Sequence, residues 1–454
     1  MKRRVTPVNF DRGQDAKSGR GVFNGLLLNT EEPMQVLDRT PSPRPTQTPS
    51  ARISAHLAQR VQREFTTRWD TLWGGRSLLH GRVAASDAVR LNGNDYLNLT
   101  GHPDIVRAQT SAIKCDGEFV IQSSVFLLDS HPVRALEKSL AHWVGKDDGL
   151  ICQSGYSANL GLLQSIADPQ TPVYLDSLAH TSLWEGARRA GAPAHPFRHN
   201  DPGHLGRLIA RHGPGVVVVD SVYSTTGAVC PLEAMVGVAE QHGCMILVDE
   251  SHSLGTHGPQ GAGLCVQLGL SHRVHFITAS LAKAFAGRAG FMTVPAEFRN
   301  YVLSTSYPNM FSSCLLPHEV AALAATLEVI RQADRARERL MHNTRRLRTR
   351  LAGLGYPVQQ GTEQIIALEA GTEPATMVLR DLLEERGVFG AVFCAPATSR
   401  NRTMVRLTLH AGLAEAELDH VEAVAAEIAP LAKPWDWPIA HRLRACGAST
   451  GRQA

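Results

Sequence analysis

Several protein classes are excluded by what the sequence lacks. No apolar run reaches the roughly 18 residues that a membrane-spanning helix needs. The eight cysteines form no C-x-x-C pair, which argues against a zinc site and a disulfide framework and is typical of a reduced cytoplasm. No apolar core follows the basic N-terminus Met-Lys-Arg-Arg, so we expect no signal peptide and a cytoplasmic location.

Charge is also sparse, with a net charge of +4 over 454 residues and 19% charged residues. A surplus this small is no signature of nucleic-acid binding, so no nucleic-acid partner is expected. The hydrophobic content of 43% excludes a mostly disordered chain. Because the 20 histidines show no metal-ligand spacing, we also expect no metal.

Lysine is rare, since only seven of the 46 lysine and arginine residues are lysines. Between Asp147 and Ala432, Lys283 is the only one, and it lies in an apolar segment of small residues. A codon bias accounts for the excess of arginine. It does not account for a single lysine retained in such a segment.

Composition and periodicity divide the chain into five segments. The first is rich in Arg, Pro, Ser and Thr, which is typical of an extended, flexible arm. Apolar residues then recur every four positions from Ile53 to Trp69, which predicts an amphipathic helix that packs in the core and stops at Gly74-Gly75. The predicted segments are 1–50 (flexible arm), 51–101 (N-terminal helix and strand), 102–316 (large domain), 317–434 (linker helix and small C-terminal domain) and 435–454 (tail).

Short apolar, β-branched segments alternate with helical ones from residue 102 to about residue 300. Such segments are typical of strands buried on both faces, as in a mostly parallel sheet covered by helices. The sequence therefore predicts an α/β fold with a smaller C-terminal α+β domain. The predicted strands are Leu150–Cys152, Val173–Leu175, Val216–Asp220, Met245–Asp249, His275–Ala279, Phe291–Val294, Ile365–Leu368, Val388–Phe393 and Val405–Leu409.

Residues that could carry chemistry follow two of these strands. Asp249 ends one strand, and His252 lies three residues further on. Lys283 follows another strand among alanines and glycines, where the loss of solvation lowers a lysine pKa and makes the amine nucleophilic. Open α/β sheets bind their ligands at the carboxyl ends of their strands, so these residues mark a candidate site.

Pyridoxal 5′-phosphate (PLP) requires these groups together. It needs a lysine that holds it covalently, a carboxylate at its pyridinium nitrogen, a flat partner over its ring and a cradle for its phosphate. Lys283 and Asp249 suit the first two tasks, and His180 suits the third. The segment Gln153–Asn159 suits the fourth, because it turns at Gly155 and opens a helix whose N-terminus favours an anion. We therefore predict PLP as the cofactor.

Four motifs strengthen this prediction. They are N-D-Y-L-N-L (Asn94–Leu99), V-D-E-S-H-S-L-G (Val248–Gly255), S-L-A-K-A-F-A-G (Ser280–Gly287) and V-R-L-T-L (Val405–Leu409). They resemble motifs of the α-oxoamine synthase family of fold-type I PLP enzymes, over about residues 51–431. The resemblance implies an aspartate-aminotransferase-like fold, acyl transfer from an acyl-CoA to an amino-acid-derived substrate, and a homodimer.

The resemblance also implies a role for each matching residue. Lys283 would hold PLP and remove the α-proton of the substrate, with Asp249 at the pyridinium nitrogen. The other assignments are His252 at the phenolic oxygen, His180 stacked on the ring, Gly155, Tyr156 and Ser280 at the phosphate, Ser221 near the ring's oxygen, and Arg406 and Asn94 at the substrate.

Two departures from the common family pattern point to one branch. The segment Val120–His131 replaces a glycine-rich segment, and Arg288 follows the lysine motif where a small residue is usual. S-S-V-F-L and S-L-A-K-A-F-A-G-R-A-G are similar to the quorum-sensing autoinducer synthases, which make α-aminoketones and α-hydroxyketones. This resemblance implies a medium-chain acyl-CoA and either S-adenosylmethionine or 2-aminobutyrate as substrates.

Other functions stay open at this point. A conventional α-oxoamine synthase of biotin, threonine or sphingolipid metabolism would use glycine, alanine or serine. A PLP aminotransferase would use the same motifs without CoA. Lys283 argues against a non-catalytic subunit, and the short, proline-rich arm argues against a DNA-binding regulator of the same fold.

Overall fold

The computed structural model describes residues 53–114 and 121–443, so the predicted arm and most of the predicted tail lie outside the described residues. The chain divides into two units, residues 1–63 and residues 64–454. The fold and the candidate site belong to the second unit.

The helix predicted from the four-residue periodicity is confirmed. Helix α1 spans Ala55–Glu64 and continues as a wider π-helical stretch, Phe65–Leu72, before the glycine pair. Its predicted packing in the core is wrong, because the apolar side chains of Ile53, Leu57, Val61 and Phe65 are 44–68% exposed. The periodicity reports the amphipathic helix but not what covers its apolar face.

The strands form two sheets. In chain order they are β1 (Val89–Leu91), β2 (Asp148–Cys152), β3 (Val173–Asp176), β4 (Ala194–Phe197), β5 (Val216–Asp220), β6 (Met245–Asp249), β7 (Phe276–Ser280), β8 (Gly290–Val294), β9 (Ile365–Gly371), β10 (Val388–Phe393) and β11 (Thr403–Thr408).

Thirteen further helices occur in the described residues. They are α2 (Pro103–Lys114), α3 (Pro132–Trp143), α4 (Gly155–Ile166), α5 (Thr181–Arg189), α6 (Pro202–His212), α7 (Leu232–Gln241), α8 (Leu264–Gln267), α9 (Arg299–Thr305), α10 (Tyr307–Met310), α11 (Pro317–Arg331), α12 (Asp334–Gly353), α13 (Glu373–Glu384) and α14 (Glu415–Ala432). Within residues 53–114 and 121–443, none of the helices is long and apolar enough to cross a membrane.

The large sheet has the strand order β2-β8-β7-β6-β5-β3-β4 and is parallel except for β8, which runs antiparallel to β2 and β7. Strand β5 shows why the sheet is buried on both faces. Val216 and Val218 belong to the apolar core that contains α4 and α5, whereas Val217 and Val219 belong to the core that contains α6 and α7. Successive side chains of a strand point to opposite faces, so an uninterrupted run of valines fills both layers.

The small sheet has the order β1-β10-β11-β9. Its strands β9, β10 and β11 come from the C-terminal part of the chain, as predicted. Strand β1, however, comes from the N-terminal segment and pairs in parallel with β10. The predicted α/β fold with a mostly parallel sheet is confirmed, and the small sheet also draws on the N-terminal segment.

Candidate active site

A cavity of about 370 Å³ opens at the carboxyl ends of the strands of the large sheet. Residues at or after the ends of β2, β3, β5, β6 and β7 line it. The small sheet contributes Phe393 from β10 and Arg406 from β11. The lining residues are Asn94, Ser154, Gly155, Tyr156, Asn159, Leu178, Ala179, His180, Thr181, Asp220, Ser224, Thr225, Asp249, Ser251, His252, Ser280, Lys283, Phe393, Ala397 and Arg406. All but one of the residues predicted for the site are therefore brought together.

Lys283 lies three residues after the end of β7, in the loop that leads to β8. Burial lowers the pKa of its amine, the positive charge of Arg406 lowers it further, and Asp249 opposes the shift. Within the described residues, Lys283 forms no ion pair. The amine is thus placed to react with an aldehyde rather than to serve as a structural cation.

Asp249, the last residue of β6, is held by donors on both carboxylate oxygens. Its Oδ2 accepts a hydrogen bond from Asn159 Nδ2 (2.7 Å), and its Oδ1 accepts one from the Ser251 backbone N–H (2.8 Å). The hydroxyl of Thr278 donates to Asn159 Oδ1 (2.6 Å), which fixes the direction of the amide. Sequence reasoning missed Asn159 and Thr278, which keep the Asp249 carboxylate in place.

His180 serves both as a helix cap and as a lining residue. It is the N-cap of α5, where its Nδ1 accepts from the Ser182 backbone N–H (3.3 Å). Tyr156 meets the imidazole edge-on, with ring centroids 6.3 Å apart. Burial lowers the pKa of His180, while Asp249 raises it and Lys283 lowers it further.

His252 is buried, with Nδ1 lying 2.5 Å from the Tyr96 hydroxyl. Burial holds the pKa of His252 well below its usual range, and the positive charges of Lys283 and Arg406, together with His180, lower it further. Burial and these charges therefore all favour the neutral imidazole.

The helix N-terminus predicted to hold an anion is present. Ser154 caps α4 by accepting from the Ser157 N–H (3.1 Å), and the first-turn N–H groups of Gly155 and Tyr156 have no acceptor within the helix. A Cβ at position 155 would lie 2.6 Å from the Ser280 Cβ. Only glycine lets α4 approach the end of β7 this closely, so the cradle combines a helix N-terminus with the Ser280 hydroxyl.

Arg406 lies on β11 and is 4% exposed. Its guanidinium donates to the Ser224 carbonyl (2.9 Å) and to Asn94 Oδ1 (3.0 Å), lies over the Phe393 ring at 4.4 Å, and leaves Nε without a partner. All of these partners are neutral, and burial lowers the pKa of Arg406. A buried cation without a carboxylate favours an anionic ligand.

Ser221 is the predicted residue that the structure does not bring to the cavity, which corrects the sequence analysis. It is fully buried, and its hydroxyl contacts the Asp249 carbonyl (3.0 Å) and the Ser253 hydroxyl (2.7 Å). Ser224 and Thr225, a few residues further on, line the cavity instead.

Asp220 also lines the cavity and was not predicted. Its Oδ1 accepts from the His180 backbone N–H (3.2 Å). Burial raises the pKa of its carboxyl well above the usual range, and the neighbouring Asp249 adds to this. The rule that strand ends carry the site could have found it, because Asp220 ends β5 beside Asp249 in the sheet register.

These residues fit PLP. The glycine-lined helix N-terminus suits a phosphate, Asp249 suits a protonated ring nitrogen, and the unpaired Lys283 suits the aldehyde carbon. Arg406 leaves a second anionic position, separate from the phosphate cradle, for the carboxylate of a substrate.

Comparison with known proteins agrees with this geometry. Residues 86–424 match the aminotransferase class I and II family. The chain belongs to this family. It is 47% identical to the CAI-1 autoinducer synthase of Vibrio campbellii over 346 residues, which cover 76% of this chain and 88% of that protein. It is 32% identical to the 8-amino-7-oxononanoate synthase of Anaeromyxobacter dehalogenans over 361 residues, which cover 79% of this chain and 91% of that protein.

Solved structures give the same result. A structure of SPT with PLP matches with a TM-score of 0.77 and 25% identity, over 83% of this chain and 99% of that one. Serine palmitoyltransferase of Sphingomonas wittichii matches with a TM-score of 0.74 and 25% identity, over 83% and 97% of the two chains. The predicted family, fold-type I architecture and cofactor are confirmed: the chain is a PLP-dependent acyltransferase of the α-oxoamine synthase type.

Proposed function

We propose that this acyltransferase joins a medium-chain acyl-CoA to S-adenosylmethionine or 2-aminobutyrate, and that the α-aminoketone product is the precursor of a quorum-sensing autoinducer. The 47% identity to an autoinducer synthase supports the branch. The cavity supports the reaction class, because it contains a nucleophilic lysine and an arginine without a carboxylate partner.

The Arg406 guanidinium is the observation that carries the amino-acid part of this proposal. It lies in the same cavity as Lys283, and in the part of the chain that the structure describes its hydrogen bonds go only to neutral oxygens. A substrate carboxylate would supply the missing negative charge and align the α-carbon for proton removal. Asn94, bonded to the same guanidinium, would hold the arginine in that orientation.

PLP, when bound, supplies the electron sink that stabilises negative charge at the substrate's α-carbon. Lys283 would hold the cofactor and, when its amine is free, would accept the α-proton at Nζ. The α-carbon would bond to the acyl carbonyl carbon as the thioester C–S bond breaks, and the sulfur would leave with a proton as the CoA thiol. Arg406 would bind the substrate carboxylate until it leaves as CO₂. His180 and His252 can donate to the acyl carbonyl oxygen as negative charge develops there.

Two alternatives in the family have specific support. The 32% identity to an 8-amino-7-oxononanoate synthase favours a conventional α-oxoamine synthase that uses glycine, alanine or serine. The family match also includes aminotransferases, which would need Lys283 and Arg406 but no acyl-CoA.

We also propose a homodimer in the cytoplasm. A group of apolar side chains at Ile121, Phe126, Leu128, Tyr307 and Phe311 is exposed, with fractions of 46–74%. The five residues lie in or next to the segment Ser124–Phe126 and helix α10, which contact each other. A second copy of the chain that covered these side chains would remove their apolar area from water. Sedimentation of the full chain tests the proposal, since a monomer at micromolar concentration would contradict it.

Release of free thiol from decanoyl-CoA tests the function. Purified enzyme with PLP receives one amino substrate at a time: S-adenosylmethionine, 2-aminobutyrate, glycine, alanine or serine. Release with either of the first two alone supports the autoinducer branch. Release with glycine, alanine or serine assigns the protein to the conventional synthases, and no release with any substrate favours an aminotransferase.

A further inference from the structure

Two histidines line the cavity, and the Nδ1 atom of each lies beside a hydroxyl group. For His252 the hydroxyl is that of Tyr96 (2.5 Å). For His180 it is that of Ser182 (2.7 Å), which accepts from the side-chain amide of Asn159 (2.9 Å). Neighbouring groups that can only donate or can only accept a hydrogen bond fix the direction of each of these bonds.

The chain at His252 begins at a backbone carbonyl. Gln364 Nε2 lies 2.8 Å from the His252 carbonyl oxygen, which can only accept, so Gln364 presents its NH₂ group on this side. The Oε1 atom of Gln364 has no hydrogen-bond partner, so this amide does not accept the proton of the Tyr96 phenol. Within the described residues, the Tyr96 hydroxyl then has no acceptor other than Nδ1 of His252, to which its proton is directed.

The chain at His180 begins at a carboxylate. Asn159 Nδ2 donates to Asp249 Oδ2 (2.7 Å) and to Ser182 Oγ (2.9 Å), so the Ser182 hydroxyl proton is directed to Nδ1 of His180. The Ser182 backbone N–H, which can only donate, lies 3.3 Å from the same nitrogen. Two donors thus converge on Nδ1 of His180.

In a neutral imidazole, one ring nitrogen donates a hydrogen bond and the other accepts one. Burial lowers the pKa of both imidazoles. The groups facing His252 are Lys283, Arg406 and His180, which all disfavour its protonation. His180 faces Lys283, which also disfavours protonation, and Asp249, which favours it.

We propose that the Tyr96 hydroxyl fixes His252, and that the backbone N–H of Ser182 together with its hydroxyl fixes His180, as Nε2–H tautomers, so that each ring offers an N–H donor to the cavity. A ligand atom opposite either Nε2 must then be an acceptor, such as an oxygen of the bound cofactor or the carbonyl oxygen of an acyl thioester. The inference rests on the proposed function only for the identity of that acceptor. The tautomers themselves are a property of the chain.

Solid-state NMR of full-length enzyme labelled with ¹⁵N-histidine, with and without PLP, tests the proposal. The signals of the two rings are assigned from their loss in His252→Asn and His180→Asn. We expect an unprotonated Nδ1 and a protonated Nε2 for both. Tyr96→Phe should convert His252 to a mixture of tautomers, whereas Ser182→Ala should leave His180 fixed, because the backbone N–H remains.

Tyr356→Phe is the matched control, since it removes another buried phenol, one that donates to the Ala425 carbonyl (2.9 Å), and should change neither ring. A protonated Nδ1 in either ring of the wild-type enzyme overturns the proposal. So does a His252 tautomer that stays fixed in Tyr96→Phe. The NMR signals do not depend on turnover. The tautomer proposal can therefore hold or fail separately from the proposed function, which the thiol-release assay tests.

Discussion

Arg134 and Arg406 are buried to nearly the same extent, with 5% and 4% of each residue exposed, but their partners differ in charge. Arg134, on α3, forms ion pairs with Glu137 and with Asp148 (2.9 Å). Among the described residues, Arg406 contacts only neutral oxygens and an aromatic ring. The charge of Arg134 is compensated within the fold, so removing this arginine would leave its carboxylates short of a partner. The charge of Arg406 is not compensated by a carboxylate, so we expect an anionic ligand to offset its desolvation.

Lys283 is the other cation of the cavity without a carboxylate partner, and its removal should have the largest effect. Lys283→Ala should lower the rate of CoA release by at least about 10³-fold and abolish the visible absorbance of the bound cofactor, since the proposed covalent anchor and the proposed general base are both lost. Lys138→Ala, at an exposed position on α3, is the control. Cofactor absorbance that persists in Lys283→Ala would contradict the assignment.

The same substitution should therefore affect catalysis at Arg406 and folding stability at Arg134. Arg406→Met should lower kcat/KM for the amino substrate by about 10²-fold or more, because loss of a partner in a buried charge pair costs about 2–5 kcal/mol. Arg134→Met should instead reduce the free energy of unfolding by up to about 3 kcal/mol, since Glu137 and Asp148 lose one of their two arginine partners and keep Arg299.

Urea unfolding and steady-state kinetics of both variants separate these effects. We expect a near-normal unfolding midpoint with poor kinetics for Arg406→Met, and near-normal kinetics of the folded enzyme for Arg134→Met. If the two variants lost stability and activity to the same extent, the distinction between a ligand arginine and a structural one would fail.

A smaller difference in kcat is expected between variants of two buried tyrosines, Tyr96 and Tyr356. Tyr96→Phe and Tyr356→Phe each remove one hydroxyl hydrogen bond and should each cost about 1 kcal/mol of stability. Only Tyr96→Phe should also lower kcat, by about tenfold, because it releases the orientation of a donor in the active site. Equal kcat values for the two variants would show that Tyr96 has no influence on catalysis.

The smallest expected effect concerns pH. The pKa of Lys283 is lower in the folded chain than in the unfolded chain, so between these two values the unfolded chain binds more protons and stability rises with pH. Without cofactor, Lys283→Met should therefore be more stable than the wild type at pH 7 and should lose this advantage as the pH approaches about 10.5. A stability difference that is the same at pH 7 and pH 10 would contradict the lowered pKa.

The sequence predicts most of the site, because Asp249, His252 and Lys283 follow recognisable strands and strand ends converge in an α/β sheet. Asn159 could not be found in this way, since a polar residue inside a helix gives no sign of its partner across the sheet. The family resemblance implies a place for Ser221 beside the cofactor ring, but the preceding residue, Asp220, lines the cavity instead. Neighbouring side chains of an extended segment point in opposite directions, and only one of the two can face the cavity.

Local pattern also fails where tertiary context decides the outcome. Strand β1 has three residues, too few to show an alternation, and it forms through pairing with β10. Strand β4 contains Pro196, which a sheet tolerates because β4 is an edge strand.

The most direct test of the acyltransferase assignment measures the products of a single reaction. Enzyme, decanoyl-CoA and carboxyl-labelled 2-aminobutyrate or S-adenosylmethionine are mixed, and labelled CO₂ and free thiol are counted together. The proposed reaction predicts one CO₂ for each thiol released, with neither product formed by Lys283→Ala. Consumption of the amino substrate to an oxo acid, without thiol or CO₂, would contradict it.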